Sequence, residues 1–237
     1  MSSADLRDLA IQNSCPAIAA PRFGALPDMQ NGQRVIVAAN GLFVQVKLDW
    51  LDCIHRLGDI ALTPPLPYGV VQERISFRFG IIPLALLEQF IAAGRAGLPN
   101  EVAGGLIYSR TRGTLRLQIY DAVEHSPDRI EYRMPELDDD ESIAIDLHTH
   151  GRCRAFWSAI DDRDDQGIKV SGVFGSLHRP KPDAAFRLVI NGSFKSLRHP
   201  WEVDHSAIPS AAPAAFDTDA ELDDMRRWPI LKWLGWR

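Results

Sequence analysis

IAIDLHTHGRCRAFWSAIDDRDD, residues 143–165, joins an alternating strand to the start of a short polar helix. Alternation puts Ile143, Ile145 and Leu147 on one strand face and Asp146, His148 and His150 on the other. Two imidazoles at i and i+2 lie about 7 Å apart at the backbone. Their rings can therefore converge on one ion at zinc–nitrogen distances of about 2.0–2.1 Å. The Asp161 carboxylate, eleven residues after His150, can close a third corner. A set of two histidines and a carboxylate leaves a fourth position open for water, as in catalytic zinc sites.

The same residues have plainer readings. A single His-x-His pair also describes two partly exposed strand histidines. Ser158-Ala-Ile-Asp161 also reads as a capping box, with Ser158 at the N-cap and Asp161 at N3. The two readings are compatible, because a capped helix start is a stiff platform for a ligand in its first turn. Cys153, as a soft thiolate, belongs more naturally to a closed structural metal site. Asp162, Asp164 and Asp165 are expected in a solvated acidic loop.

Immediately upstream, Asn100-Glu101-Val-Ala-Gly104-Gly105 sits at a helix–strand junction. Glu101 is either a surface carboxylate or, beside glycines that permit close backbone approach, one that reaches a site on the neighbouring strand. In the second case it can take a proton from an activated water and pass it to a leaving amine. Pro83 is expected at N1 of a helix carrying Leu84, Leu87, Phe90 and Ile91 at helical spacing, which fades at Gly94 and Gly97. Strands are expected at Val102–Ser109, Thr114–Asp121, Arg129–Met134 and Ser142–His150. A short helix from Ser158 and strands at Ile168–Phe174 and Ala185–Ile190 follow. Leu115, Leu117 and Ile119 alternate with Arg116 and Gln118, the mark of a half-buried strand. The pattern is mixed α/β, a sheet with few helices and no internal repeat.

Further out, Arg34–Ala39 and Leu42–Trp50 flank Asn40-Gly41, which predicts a hairpin with a type I′ turn. Residues 1–33 read as a short polar helix and a Pro/Gly-punctuated connector. Thr63-Pro-Pro-Leu-Pro67 breaks the chain and marks a soft domain boundary. Residues 206–215 are mostly Ala, Pro and Ser, a linker composition. Beyond them come an acidic stretch, Asp217 to Asp224, and Trp228, Trp233 and Trp236. These tryptophans either dock on the protein's own core or anchor a partner. The expected organisation is a β-rich N-terminal region over 1–70, an α/β domain over 71–200, and a linker with a Trp-rich tail over 201–237.

Of 237 residues, 46% are hydrophobic and 24% charged, which excludes a wholly disordered chain, a collagen-like repeat and a coiled-coil rod. No apolar run approaches the ~18 residues of a membrane span. Asp5 and Asp8 in place of an apolar segment give no secretory signal. Three cysteines, Cys15, Cys53 and Cys153, make no disulfide framework and fit a reducing cytoplasm. A net charge of −5 disfavours nucleic acid bound through a broad basic face. Arg110, Arg112 and Arg116 are expected as solvated strand arginines, so neither nucleic acid nor membrane is expected as a partner.

Glu101, then His148-Thr149-His150, seven further residues, and Ser158-Ala159-Ile160-Asp161 resemble the JAMM motif of JAB/MPN-domain zinc metalloproteases, E…H-[ST]-H-x7-S-x2-D. The resemblance covers about Arg74–Leu197. It implies the JAB/MPN fold, a cytidine-deaminase-like mixed β-sheet flanked by helices. It also implies His148, His150 and Asp161 as ligands of one Zn²⁺, Glu101 as general acid/base, and Ser158 as stabiliser of the tetrahedral oxyanion. The N-terminal hairpin segment and the wording HTHG…FWS..DD.DD are similar to the A-protein family of the plasmid-associated PRTRC cassette. That cassette also encodes proteins resembling a ubiquitin-activating ThiF enzyme and a ParB. The resemblance thus implies an isopeptidase or peptidase acting on a ubiquitin-like protein or its conjugate, with the ThiF/E1-like protein as a further partner. The alternative is a catalytically silent interaction module of the same fold. Many family members carry proline after the second histidine where this chain has Gly151, which implies a more mobile 151–157 loop.

Overall fold

The computed structural model describes residues 10, 12–60, 64–126 and 129–198. The linker and Trp-rich tail expected at 201–237 lie outside them, as does most of the expected N-terminal helix. Two sheets carry the described chain. The first runs in the order β1 (Ala17–Ala19), β2 (Gly32–Ala38), β3 (Gly41–Lys47), β4 (Leu51–Gly58) and β5 (Arg74–Phe77). Only β1 and β2 are parallel in it. Ile36, Phe43 and Ile54 are fully buried and form its core with Ala20, Ala38 and Val71.

The expected β2–β3 hairpin is present, but its turn is not type I′. Ala38 pairs with Gly41, so the loop is Ala39-Asn40, and neither loop residue has positive φ. Asn40 is engaged elsewhere. Its amide donates to Val71 O at 2.8 Å and its Oδ1 accepts from Val71 N at 3.0 Å. That pair of hydrogen bonds clamps the segment leading into β5, which the sequence reading did not assign, to the β2–β3 turn.

After α1 (Leu84–Gly97), with Pro83 at the N-cap rather than N1, come β6 (Ala103–Ser109), β7 (Thr114–Ile119), a separate ribbon of β8 (Asp121–Ser126) and β9 (Arg129–Arg133), and β10 (Glu141–Thr149). A six-residue helix, α2 (Ala159–Asp164), leads into β11 (Ile168–Gly175), β12 (Asp183–Ile190) and β13 (Ser193–Leu197). The second sheet has the order β13-β12-β11-β10-β6-β7. The architecture is mixed α/β, sheets with few helices. No helix among the described residues is long and apolar enough to cross a membrane.

Within this sheet β10 and β11 alone are parallel, and parallel neighbours need a crossover connection. Residues 150–167, with α2, are that crossover. Ala144 is an extra residue against β6, since Ile143 pairs with Ile107 and Ile145 with Leu106. The bulge interrupts the alternation expected from Ile143, which then runs clean through Ile145, Leu147 and Thr149, all fully buried. On that face α1 packs, with Phe90 and Phe174 ring centroids 5.5 Å apart. A Cβ on Gly94 would stand 3.0 Å from Thr149 Cγ2 and 2.8 Å from Leu177 Cδ1, so the glycine sets how closely helix meets strand.

The strand arginines are tied into the fold. Arg116 donates to both Glu141 oxygens at 2.9 and 2.7 Å, and Arg112 adds a third bond at 2.9 Å. The Arg116 bonds hold the Glu141 carboxyl down at about 2. Arg110 faces Asp49 across the two sheets at 3.5 Å.

The Asn-Gly pair that does adopt a type I′ turn is Asn191-Gly192, with φ of 49° and 81°. It joins β12 to β13, and Ile190 pairs with Ser193 across it. A Cβ added at Gly192 meets nothing within 4 Å, so only backbone strain opposes a side chain there. Gly192→Ala is expected to lower stability by about 1–2 kcal/mol, read as a lower urea midpoint with an unchanged slope.

Candidate metal centre

The second sheet presents its polar face as two rungs. In the first, Gly105, Asp146, Ser171 and Arg187 lie side by side on β6, β10, β11 and β12; in the next, Ala103, His148, Val173 and Ala185 do so. His148 thus rises from the sheet among small neighbours. Between the histidines, Thr149 points into the core, where its Oγ1 accepts from Val102 N at 2.9 Å. His150 stands just past β10, fixed by its N–H to Phe174 O at 2.8 Å. It is buried, deeper than its reading as a polar-face residue implied.

Beyond His150 the chain turns at Gly151, φ +53°. The loop is tied to the end of β11: Leu177 N donates to Gly151 O at 3.0 Å, Cys153 N donates to His150 O at 2.9 Å, and Ser176 N donates to Cys153 O. Gly175 is the seat for this loop, since a Cβ there would overlap the backbone of residues 153–155. The loop delivers Ser158 as N-cap of α2. The capping box is complete: Asp161 N donates to Ser158 Oγ at 3.1 Å and Ser158 N donates to Asp161 Oδ2 at 2.7 Å.

These two segments bring three ligand atoms together. His148 Nε2 lies 3.2 Å from His150 Nε2 and 3.3 Å from Asp161 Oδ1, and His150 Nε2 lies 3.8 Å from Asp161 Oδ2. Ligand atoms about 2.0–2.1 Å from one tetrahedral ion stand roughly 3.3 Å apart. The donor set therefore fits a single small cation. Burial pushes both imidazoles towards the neutral form that ligates metal; His150, also facing His148, falls to about 4. His148, His150 and Asp161 are a group able to hold a metal ion. Cys153 is not part of that group.

Glu101 is buried. Glu101 lies two residues ahead of Ala103, the first residue of β6, which pairs with His148, and Thr149 N donates to Val102 O at 3.0 Å. Its backbone is fixed by donation to Ser126 O at 3.0 Å, from the β8–β9 ribbon. It stands outside the ligand group.

Of the acidic residues after Asp161, Asp162 and Asp164 are exposed as expected, though in α2 rather than a loop, while Asp165 departs from the expectation. Asp165 is buried. It accepts from Ser171 Oγ at 2.8 Å and Arg187 Nε at 2.9 Å, and lies 3.0 Å from Lys169 Nζ. Burial raises its pKa, but Lys169, Arg187 and Ser171 outweigh that and hold it below the usual carboxylate range. Lys169 also binds Asp146 Oδ2 at 2.8 Å. Arg187 reaches Asp162 as well, and its guanidinium lies 3.9 Å from the Trp157 ring centroid and 4.0 Å from that of Phe194. Trp157 turns its edge to His148 at 6.1 Å and Phe156 meets His150 at 4.5 Å, so aromatic rings wall the centre. Sequence reasoning missed Arg187. Its signal was a lone charge inside the apolar run Phe186–Ile190.

The geometry predicts that His148→Ala and His150→Ala each abolish metal retention, checked by metal content after purification. His148→Ala should melt near the wild type, whereas His150→Ala, which empties a buried position, should cost about 1–3 kcal/mol.

Two stretches of the chain are similar to known families. Residues 5–78 match a family described as a domain of unknown function (DUF2016), and residues 83–189 match one described as prokaryotic homologs of the JAB domain. No curated protein matches. Among solved structures, the solution structure of protein DSY2949 from Desulfitobacterium hafniense is 19% identical, with a TM-score of 0.39 over 49% of this chain and 88% of that one. The span of the second family holds both histidines, Asp161 and Glu101: a JAB-like domain is present in this chain, over residues 83–189.

Proposed function

We propose that the chain is a zinc-dependent peptidase of the JAMM type, hydrolysing an amide bond to or within a ubiquitin-like protein. The observation that carries this reading is the convergence of His148, His150 and Asp161 at ligand spacing, with the buried Glu101 two residues ahead of Ala103, the β6 partner of His148. Three protein ligands leave a tetrahedral ion one open position, the arrangement of catalytic rather than structural zinc. When bound, zinc supplies Lewis-acid polarisation of the scissile carbonyl and lowers the pKa of water.

The chain's own residues do the rest. Glu101 accepts the proton of the attacking water and returns it to the departing amine, so the amide and one water become an acid and an amine. Ser158 Oγ takes the Asp161 N–H on a lone pair, which leaves its own proton to donate to the developing oxyanion. Phe156 and Trp157 flank the two histidines and limit the water around them. A ThiF/E1-like protein of the same cassette is the further partner this reading takes, in a reducing cytoplasm.

The test is zinc content of the purified chain, followed by cleavage of a ubiquitin-like protein fused through its C-terminus to a reporter, with and without chelator. About one zinc per chain and chelator-sensitive cleavage are expected. Zinc without cleavage points instead to a silent interaction module. Glu101→Gln should keep the zinc and lose at least ~10² in rate, the usual worth of a general acid/base. Ser158→Ala separates capping from catalysis. Loss of the cap alone costs about 0.5–2 kcal/mol, whereas loss of an oxyanion donor costs ~10²–10³ in kcat; both are expected, read from thermal melts and turnover of the same variant.

A further inference from the structure

The helix that carries Asp161 has no apolar hold on the sheet. It is six residues long and none of them is buried. Isolated helices of that length are unstable in water, and helices in proteins are held mainly by an apolar face. The contacts that fix this one are polar. At its start the capping box joins Ser158 and Asp161. At its end Asp165, the C-cap, is buried and donates its N–H to Asp161 O at 2.8 Å.

Arg187 reaches both exposed and buried acids of this segment from β12. Its NH1 donates to Asp162 Oδ1, while its Nε and NH2 lie 2.9 and 2.7 Å from Asp165 Oδ2. Arg187 is only 4% exposed, and its guanidinium lies between the rings of Trp157 and Phe194. Trp157 belongs to the loop ahead of α2 and also touches His148. One side chain thus braces the loop before Asp161, the residue after it, and the turn that follows. Lys169 and Ser171 reach Asp165 but have no such bond to Asp162.

We infer that Arg187 is a positioning residue for the metal centre, holding Asp161 at ligand distance from the histidines by binding Asp162 and Asp165 between Trp157 and Phe194. It touches neither metal nor substrate. Supporting groups of this kind commonly set metal affinity by roughly 10–100-fold. The inference rests on the metal-site reading above. It extends that reading to a residue about twenty-five positions beyond the last ligand.

The test measures Zn²⁺ affinity of the full chain against a chromophoric chelator, and the visible bands of the Co²⁺-loaded form, for wild type, Arg187→Met and Asp162→Ala. Arg187→Met leaves Asp165 with Lys169 and Ser171, so no buried carboxylate is stranded. Asp162→Ala removes one arm of the clamp at an exposed position and keeps the test open should Arg187→Met fail to fold. The expected result is a folded metal-free protein with zinc affinity weakened roughly 10–100-fold in Arg187→Met, a smaller weakening in Asp162→Ala, and altered Co²⁺ bands in both. Arg187→Lys, which keeps the charge but not the planar fork, should not restore the wild-type bands. Wild-type affinity and bands in folded variants, whatever their melting temperature, would reduce Arg187 to a structural role and overturn the inference. A wild-type chain that binds neither ion overturns the metal-site reading itself.

Discussion

The buried pair of Asp165 and Arg187 fixes the crossover between β10 and β11, and much of the local arrangement follows from it. Parallel strands oblige the chain to leave the sheet and return, and here the helix in that excursion contributes no buried residue of its own. Burying charge is costly, and several kcal/mol per ion are lost before any attraction is counted. The cost is offset because Asp165 has three partners, Ser171, Lys169 and Arg187. Such a network is poor evidence for high stability. Its better-supported use is to select one geometry among several, as a helix set beside two converging histidines requires.

That network leans on the first sheet. Arg187 and Phe194 belong to the β12–β13 hairpin, whose turn and second strand touch β2, β4 and the start of β5. Asn191 donates to Gln33 at 2.7 Å, Lys195 binds Glu73 at 2.9 Å, and Ser193 Oγ lies 3.5 Å from His55 Nε2. Glu73 is drawn down to about 2, first by Lys195 and then by the Arg56 amide. A row of rings, Trp50, Phe77, Phe79 and Tyr108, continues from β4 to β6 at centroid spacings of 5.1–6.4 Å. The N-terminal sheet therefore buttresses the strands that hold the helix carrying Asp161, and the two sheets form one compact unit.

What could be read in the sequence was what is set locally. The i, i+2 histidines, the capping box at Ser158 and the helix from Leu84 depend on neighbours within a few residues, and each was legible. β1 and β5 escaped notice because three or four residues carry no usable period, and β13 because the decisive signal, Asn191-Gly192, was overshadowed by the earlier Asn40-Gly41. That first Asn-Gly misled because a distant segment, at Val71, had claimed the Asn40 side chain. Asp165 was misjudged for the same reason. Its partners come from β11 and β12, and no local rule distinguishes an acid that meets an arginine from one that meets water.

Gly151 has a consequence of another kind. Its φ of +53° lies on the opposite side of the Ramachandran map from the −65° to which a proline ring is locked. A chain with glycine after the second histidine and one with proline there differ by more than a side chain, because the backbone leaves the strand in two different directions. Moving between them is not a single-codon step but a change of loop class, needing new closures for Leu177 N and Ser176 N and a new seat at Gly175. Grafting a loop from one into the other would carry the whole segment, not the residue.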